Sequence, residues 1–149
     1  NVIRRMKGKN GKRALSILEQ HIHNRLPFLG LIAAGHPLEV FEVTEYMNVP
    51  HQYIKAENYV LKVNGNSMIN DQIRDEDYII VKKTEIAING DTVVALVNND
   101  ATLKRYYMKD QKVELHPQNS DFDIIHVQPT DDFKINGIML AVFREYPQY

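Results

Sequence analysis

Ser67 and Lys104 are the two side chains in this sequence whose combination could break a peptide bond. A serine hydroxyl is a weak nucleophile until a base removes its proton, and no histidine here has the sequence context of a catalytic triad. A lysine can be that base when its amine is neutral. Burial in an apolar site lowers a lysine pKa from about 10.4 by several units. We therefore predict that Lys104 is a desolvated general base for Ser67.

The local contexts of the two residues fit these roles, although similar contexts are common in proteins. Ser67 lies in the turn Asn64-Gly65-Asn66-Ser67 after a predicted strand, where backbone N–H groups can point at an anion. We assign the oxyanion hole to the N–H groups of Asn66 and Ser67. Most turn serines bond only their own backbone, and most strand lysines are solvated. An ordinary turn and an ordinary strand are therefore the alternative.

The elements that must position this pair are predicted to be short β-strands separated by turns. The candidate strands are residues 59–64, 78–83, 92–97, 102–107, 112–115, 124–127 and 133–144, the last with a break near Asn136-Gly137. A short polar stretch joins residues 92–97 to 102–107, which predicts a hairpin. Arg25-Leu26-Pro27 is predicted to end a linker. Many short strands at this spacing indicate a compact, mostly β domain of the sandwich or barrel type.

The bulk composition is typical of one globular domain with an appendage. The chain has 149 residues, 44% of them hydrophobic and 25% charged. Its apolar runs, such as residues 138–143, are too short to span a bilayer, so we expect a cytoplasmic protein without membrane contact. That run is predicted to be either a buried strand or the edge of a dimer interface. The absence of cysteine excludes a disulfide framework and a thiolate site, and His21 and His23 lack a third ligand, so we predict neither metal nor cofactor.

Charge is distributed unevenly along the chain. Residues 1–13 contain six basic side chains and no acidic one, whereas residues 14–149 hold the other 12 of the 18 basic residues and all 19 acidic ones, a balance of −7. Such a basic segment is typical either of an arm that contacts phosphate or of a solvated terminus. Its sequence fits a hairpin around Gly8 and Gly11, with a helix over residues 13–24 as the alternative.

Three segments together resemble the signatures of the LexA and phage-repressor autopeptidase family, in the family's order and at similar spacing. They are Ala34-Gly35, Val63-Asn64-Gly65-Asn66-Ser67-Met68 and Thr102-Leu103-Lys104-Arg105. The resemblance runs from about Leu26 to Arg144 and includes residues 113–120 and Ile135-Asn136-Gly137. It implies a compact β domain like those of LexA and signal peptidases, in which Ser67 and Lys104 cleave the Ala34–Gly35 bond. Asn66, in place of a common methionine, and His36, where an acidic residue is frequent, are departures that concern the substrate loop.

The resemblance also implies a biological role, that of a repressor of the SOS response to DNA damage. It implies a homodimer that binds operator DNA through the full-length DNA-binding domain and cleaves itself when a RecA nucleoprotein filament acts as co-protease. On this interpretation residues 1–25 are the remnant of a winged helix DNA-binding domain plus a linker, and residues 26–149 are the autopeptidase and dimerisation domain. The side chains assigned to the DNA-contacting arm are Arg4, Arg5, Lys7 and Lys9.

Three alternatives to this role remain. A phage repressor would share the same autocleavage, and so would a UmuD-like polymerase subunit, although the basic N-terminal segment argues against the latter. The alternative from a different class is a non-enzymatic β dimerisation module, in which Ser67 and Lys104 have no chemical role.

Overall fold

The computed structural model describes residues 24–32 and 45–148, and within them it confirms a mostly β fold. Nine strands form one sheet in the order β2-β1-β3-β4-β9-β5-β6-β7-β8. The strands are β1 Arg25–Ile32, β2 Glu45–Asn48, β3 Asn58–Val63, β4 Tyr78–Lys82, β5 Thr92–Val97, β6 Asp100–Lys109, β7 Lys112–His116, β8 Ile125–His126 and β9 Phe133–Phe143. Short 3₁₀ helices cover His51–Tyr53 and Ile69–Asp71. Among these residues no helix is long and apolar enough to cross a bilayer.

The predicted hairpin is confirmed as β5 and β6, which pair antiparallel from Thr92↔Arg105 to Val97↔Asp100. The connecting loop is the dipeptide Asn98-Asn99, whose φ angles are 50° and 68°. Two-residue hairpin loops favour positive φ at both positions, and asparagine tolerates that conformation better than most residues. This turn therefore sets the pairing register of β5 and β6, in which Lys104 lies in the middle of β6.

Two strands were not among the sequence predictions. β1 begins at Arg25, so residues 25–27, which were expected to end a linker, already belong to the first strand. β1 pairs in parallel with β3, and its register shifts between Phe28 and Leu31, where Gly30 has a φ of 97°. Such a bulge interrupts the alternation that marks a strand in a sequence. β2 has four residues and mostly exposed side chains, so its apolar pattern is weak.

The predicted break near Asn136-Gly137 is a β-bulge within one continuous strand. Opposite β5, Val94 pairs with Gly137 while Ala95 pairs with Ile135, which leaves Asn136 as the extra residue. β9 bonds to β4 on one side and to β5 on the other. β5 pairs with residues 133–138 and β4 with residues 138–143, so after Ile138 β9 has a partner strand on one side only within the described residues. Leu140 and Val142 are 42% and 38% exposed, and an edge of a dimer interface stays a prediction for this run.

An apolar cluster packs beneath the turn that carries Ser67. It joins the ends of β1 and β3 to β4, β5 and β6, and its members include Ile32, Leu61, Val63, Met68, Ile73, Ile79, Val81, Val94 and Leu103. Met68, directly after Ser67, is 2% exposed, and Leu103, directly before Lys104, is 4% exposed. The two residues of interest are thus each adjacent in sequence to a core residue, which restricts the movement of the backbone that carries them.

Several sequence predictions lie outside the described residues. They are the basic hairpin or helix of residues 1–23, the arm residues Arg4, Arg5, Lys7 and Lys9, the pair His21 and His23, and the bond between Ala34 and Gly35.

Candidate active site

Ser67 and Lys104 lie within hydrogen-bonding distance, as expected from their residue types. Lys104 Nζ is 2.9 Å from Ser67 Oγ, across 37 positions of sequence. Ser67 is half-buried in the turn after β3, and Lys104 projects from the middle of β6. A nucleophile within reach of a base is the first geometric requirement for acyl transfer.

The burial of Lys104 follows from its position in the sheet. β6 lies between β5 and β7, and Lys104 is opposite the fully buried Val93. Only 7% of Lys104 is exposed. Burial disfavours the ammonium form and lowers the pKa of Lys104 to about 8. A substantial fraction of the amine is therefore neutral near physiological pH.

Three oxygen atoms surround the Lys104 amine. Besides Ser67 Oγ, Nζ lies 2.7 Å from Thr102 Oγ1 and 3.1 Å from the carbonyl oxygen of Leu103. An ammonium ion can donate to all three. A neutral amine has two N–H bonds and one lone pair, so it can donate to Thr102 and Leu103 while accepting the Ser67 hydroxyl proton. The same geometry therefore suits both protonation states of the lysine.

Thr102 had no role in the sequence predictions. Its position does carry a signal, because side chains two residues apart on a strand lie on the same face. Thr102 precedes Lys104 by two residues on β6 and so lies beside the lysine stem.

Two side chains fix the shape of the Ser67 turn. Gly65 has a φ of 95°, a conformation that favours glycine. Its N–H donates to Asp75 Oδ1 at 2.7 Å, and the N–H of Asp75 donates in return to Asn66 Oδ1 at 3.0 Å. These two hydrogen bonds hold the Ser67 turn against the loop that leads into β4.

The segment after β7 also contacts the turn, a role that sequence reasoning did not assign to it. Gln118 N–H donates to the carbonyl oxygen of Ser67 at 2.8 Å, and Asn119 Nδ2 donates to that of Asn66 at 2.9 Å. Next to Lys104, Arg105 forms a two-point ion pair with Asp71, with N–O distances of 2.9 and 2.5 Å. These contacts hold both sides of the turn against β6 and β7.

The Ser67–Lys104 pair opens into a cleft of about 410 Å³. Ile32, at the end of β1, forms part of its wall, together with Val63, residues 64–68, Val97, Asn98, residues 100–104, Phe122 and Ile125. Within residues 24–32 and 45–148, neither the N–H of Asn66 nor that of Ser67 donates a hydrogen bond. Among the described residues, both donors are thus without an acceptor beside Ser67 Oγ.

Metal-binding side chains are a separate question from the Ser67–Lys104 pair. In the described part of the chain, no group of three or more His, Asp or Glu side chains is arranged to hold a metal ion. The polar atoms at the amine are a hydroxyl pair and a carbonyl, which suit proton transfer between serine and lysine.

Comparison of the sequence with those of known proteins identifies the family of this chain. Residues 27–140 match the model of the family described as Peptidase S24-like. A LexA repressor of Syntrophotalea carbinolica is 42% identical over 123 residues, which cover 82% of this chain and 61% of the relative. One of Syntrophobacter fumaroxidans is 41% identical over 93% of this chain and 68% of its own length. One of Pseudothermotoga lettingae is 43% identical, with 91% and 70% covered.

The family match includes the Ser67 turn, β6 and the segment after β7, so it contains the whole of the described site. The chain spans between about three fifths and seven tenths of the length of these relatives. The chain belongs to the peptidase S24-like family, together with the LexA repressors.

Proposed function

We propose that this protein is a repressor of the SOS response that inactivates itself by cutting its own Ala34–Gly35 bond. Ser67 Oγ attacks the carbonyl carbon of Ala34, and Lys104 takes the hydroxyl proton. The N–H groups of Asn66 and Ser67 stabilise the oxyanion. The observation that carries the proposal is the 2.9 Å separation between a buried lysine amine and a turn hydroxyl.

The reaction then proceeds through an acyl-enzyme. The protonated Lys104 returns its proton to the amine of Gly35 as the Ala34–Gly35 bond breaks, which leaves Ala34 esterified to Ser67. A water molecule, deprotonated by the same lysine, hydrolyses the ester. Small side chains at positions 34 and 35 suit a narrow cleft.

The position of β1 supports cleavage within one chain. Ile32 lines the cleft and pairs with Val63, four residues before Ser67. Ala34 follows Ile32 by two residues, and two residues of extended chain span at most about 7 Å. The scissile bond is therefore within reach of the cleft mouth without separation of β1 from the sheet.

The biological part of the proposal rests on the relatives. They are LexA repressors, and this chain carries a basic segment that contains Arg4, Arg5, Lys7 and Lys9. We propose that residues 1–25 contribute to operator contacts and that residues 26–149 form the autopeptidase and dimerisation unit. A homodimer would bind the operator, and a RecA nucleoprotein filament would stimulate cleavage.

The test is incubation of the purified chain between pH 7 and 10, followed by mass spectrometry of the fragments. We expect two products that meet between Ala34 and Gly35. Ser67→Ala and Lys104→Ala should both remain intact, because each removes one of the reacting groups. Lys109→Ala is the matched control, since this lysine is exposed on the same strand, and it should cleave at the wild-type rate.

Two other results of this experiment would contradict the proposal. Cleavage that persists in Ser67→Ala would refute the assignment of the nucleophile. A folded wild-type chain that stays intact at every pH, with and without RecA filaments, would favour the non-enzymatic β dimerisation module.

A further inference from the structure

We propose that Asn119 is a positioning residue that orients the oxyanion hole of Ser67. This inference rests on the proposed function, because it concerns the rate of the same cleavage. Asn119 does not contact Ser67 Oγ or Lys104 Nζ. It acts through the peptide unit that joins Asn66 to Ser67.

A peptide unit is planar and its carbonyl and N–H groups point in opposite directions in the trans form. Fixing the carbonyl oxygen of Asn66 therefore fixes the direction of the Ser67 N–H. Asn119 Nδ2 donates to that oxygen at 2.9 Å, and the N–H of Ile69 donates to it at 3.2 Å. The Ser67 N–H is consequently aimed away from the Asn119 side chain.

The neighbouring peptide unit is held in the same way. Gln118 N–H donates to the carbonyl oxygen of Ser67 at 2.8 Å, and the carbonyl oxygen of Gln118 accepts the N–H of Asn70 at 2.8 Å. Residues 118 and 119 thus bond two successive carbonyl oxygens, one on each side of Ser67. Among the described residues, no hydrogen-bond donor of β3 bonds to either of these two carbonyl oxygens.

Asn119 is itself held by a local turn. Its Oδ1 accepts the N–H of Asp121 at 3.0 Å, and its carbonyl oxygen accepts the N–H of Phe122 at 3.1 Å. The amide therefore has two separable roles: Oδ1 shapes the turn that leads to Phe122 in the cleft wall, and Nδ2 orients the Ser67 peptide.

Two substitutions separate these roles. Asn119→Asp keeps an oxygen for the Asp121 N–H but places a carboxylate oxygen against the Asn66 carbonyl. Asn119→Ala removes both contacts. Removal of one oxyanion-hole donor lowers kcat by about 100- to 1,000-fold, and misdirection of a donor that is still present should cost less. We expect the cleavage rate of both variants to fall by about tenfold or more.

The pH profile distinguishes positioning from a change at the lysine. In Asn119→Ala the plateau rate at alkaline pH should fall while the midpoint of the profile stays near that of the wild type, because Lys104 keeps its partners. Asn89→Ala is the matched control: Asn89 also bonds backbone groups through its side chain, at Met108, with no atom in the cleft. It should leave the plateau unchanged, and circular dichroism should show all variants folded.

The outcomes separate this inference from the proposed function. If Asn119→Asp cleaves at the wild-type rate and only Asn119→Ala is slow, the side chain serves the turn alone and the positioning role is refuted. If both variants cleave at the wild-type rate while Ser67→Ala and Lys104→Ala are inactive, the proposed function stands and the inference fails. If Ser67→Ala cleaves, the proposed function itself fails.

Discussion

At the scale of single residues, the reactivity of Lys104 depends on the charge of the groups beside its amine. All three hydrogen-bond partners of Lys104 Nζ are neutral oxygen atoms. In the part of the chain that the structure describes, no carboxylate pairs with this amine. An adjacent carboxylate would favour the ammonium form and oppose the effect of burial. The apolar walls can therefore lower the pKa of Lys104 without compensation.

The cleavage rate should follow the neutral fraction of Lys104. Because burial lowers the pKa of Lys104 from 10.5 to about 8, the amine loses its proton as the pH rises through about 8. We expect the rate without RecA to rise about tenfold per pH unit below that value and to level off above it. Mass spectrometry of timed samples measures the rate, and the unfolding midpoint at each pH is the control for an intact fold. A rate that is flat from pH 6 to 10 would contradict a lysine base.

At the scale of elements, the sequence predicted strands best where an apolar run ends in a recognisable turn. Residues 92–97 were predicted with the observed bounds of β5, because a continuous apolar run ends there in a polar two-residue turn. β6 is longer than the predicted residues 102–107, since pairing with β5 extends it back to Asp100 and pairing with β7 extends it to Lys109. β1 was missed because Pro27 and the Gly30 bulge interrupt its pattern.

The same reasoning explains which parts of the site were predictable. Ser67 and Lys104 could be chosen from residue type and from their segments. The contribution of Gln118 and Asn119 could not, because it consists of turn-to-turn contacts between segments about fifty positions apart. No periodicity of either segment encodes such a contact.

The bulge in β9 should not tolerate a side chain at Gly137. A Cβ atom there would overlap Val81 Cγ1 and lie 2.7 Å from the carbonyl oxygen of Lys82 and 3.1 Å from Tyr59 Oη. Backbone cannot move away as a flexible side chain can, so we expect Gly137→Ala to lower the free energy of unfolding by about 2 kcal/mol. Urea denaturation measures this change. Leu140→Ala, on the same strand and with Leu140 42% exposed, is the control and should cost clearly less; equal costs would contradict the packing argument.

At the scale of the whole molecule, β9 joins the two parts of the sheet that carry the reacting groups. Ser67 follows β3, in the part formed by β2, β1, β3 and β4, whereas Lys104 belongs to the part formed by β5 to β8. Three strands separate β3 from β6 in the sheet, yet the two side chains are 2.9 Å apart. The sheet must therefore curve, and the alignment of serine with lysine depends on the pairing of β9 with β4 and β5.

The C-terminal end of β9 is anchored by an ion pair between Arg144 and the buried Asp77, in the loop before β4. Arg144 donates to the two carboxylate oxygens of Asp77 at 2.6 and 2.8 Å, and the N–H of Arg74 donates to Asp77 at 2.8 Å. Asp77 is fully buried. The hydrogen bond from Arg144, helped by that from Arg74, holds the pKa of Asp77 below its usual value. The charged carboxylate therefore stabilises the fold above about pH 4, and this contribution is lost as the pH falls through the lowered pKa of the folded state.

Asp77→Asn should consequently lower the free energy of unfolding at pH 7 by about 2 kcal/mol, because it removes the carboxylate that accepts two charge-assisted hydrogen bonds from Arg144. Urea denaturation at pH 7 and at pH 3 measures the effect, and the difference from the wild type should shrink at the lower pH, where protonation of Asp77 begins to remove the same charge. Glu85→Gln is the matched control: Glu85 pairs with Lys134 at 3.3 Å, but both side chains are more than half exposed, so its loss should be below about 0.5 kcal/mol. Equal losses for the two variants at pH 7 would mean that the Asp77–Arg144 pair does not anchor β9.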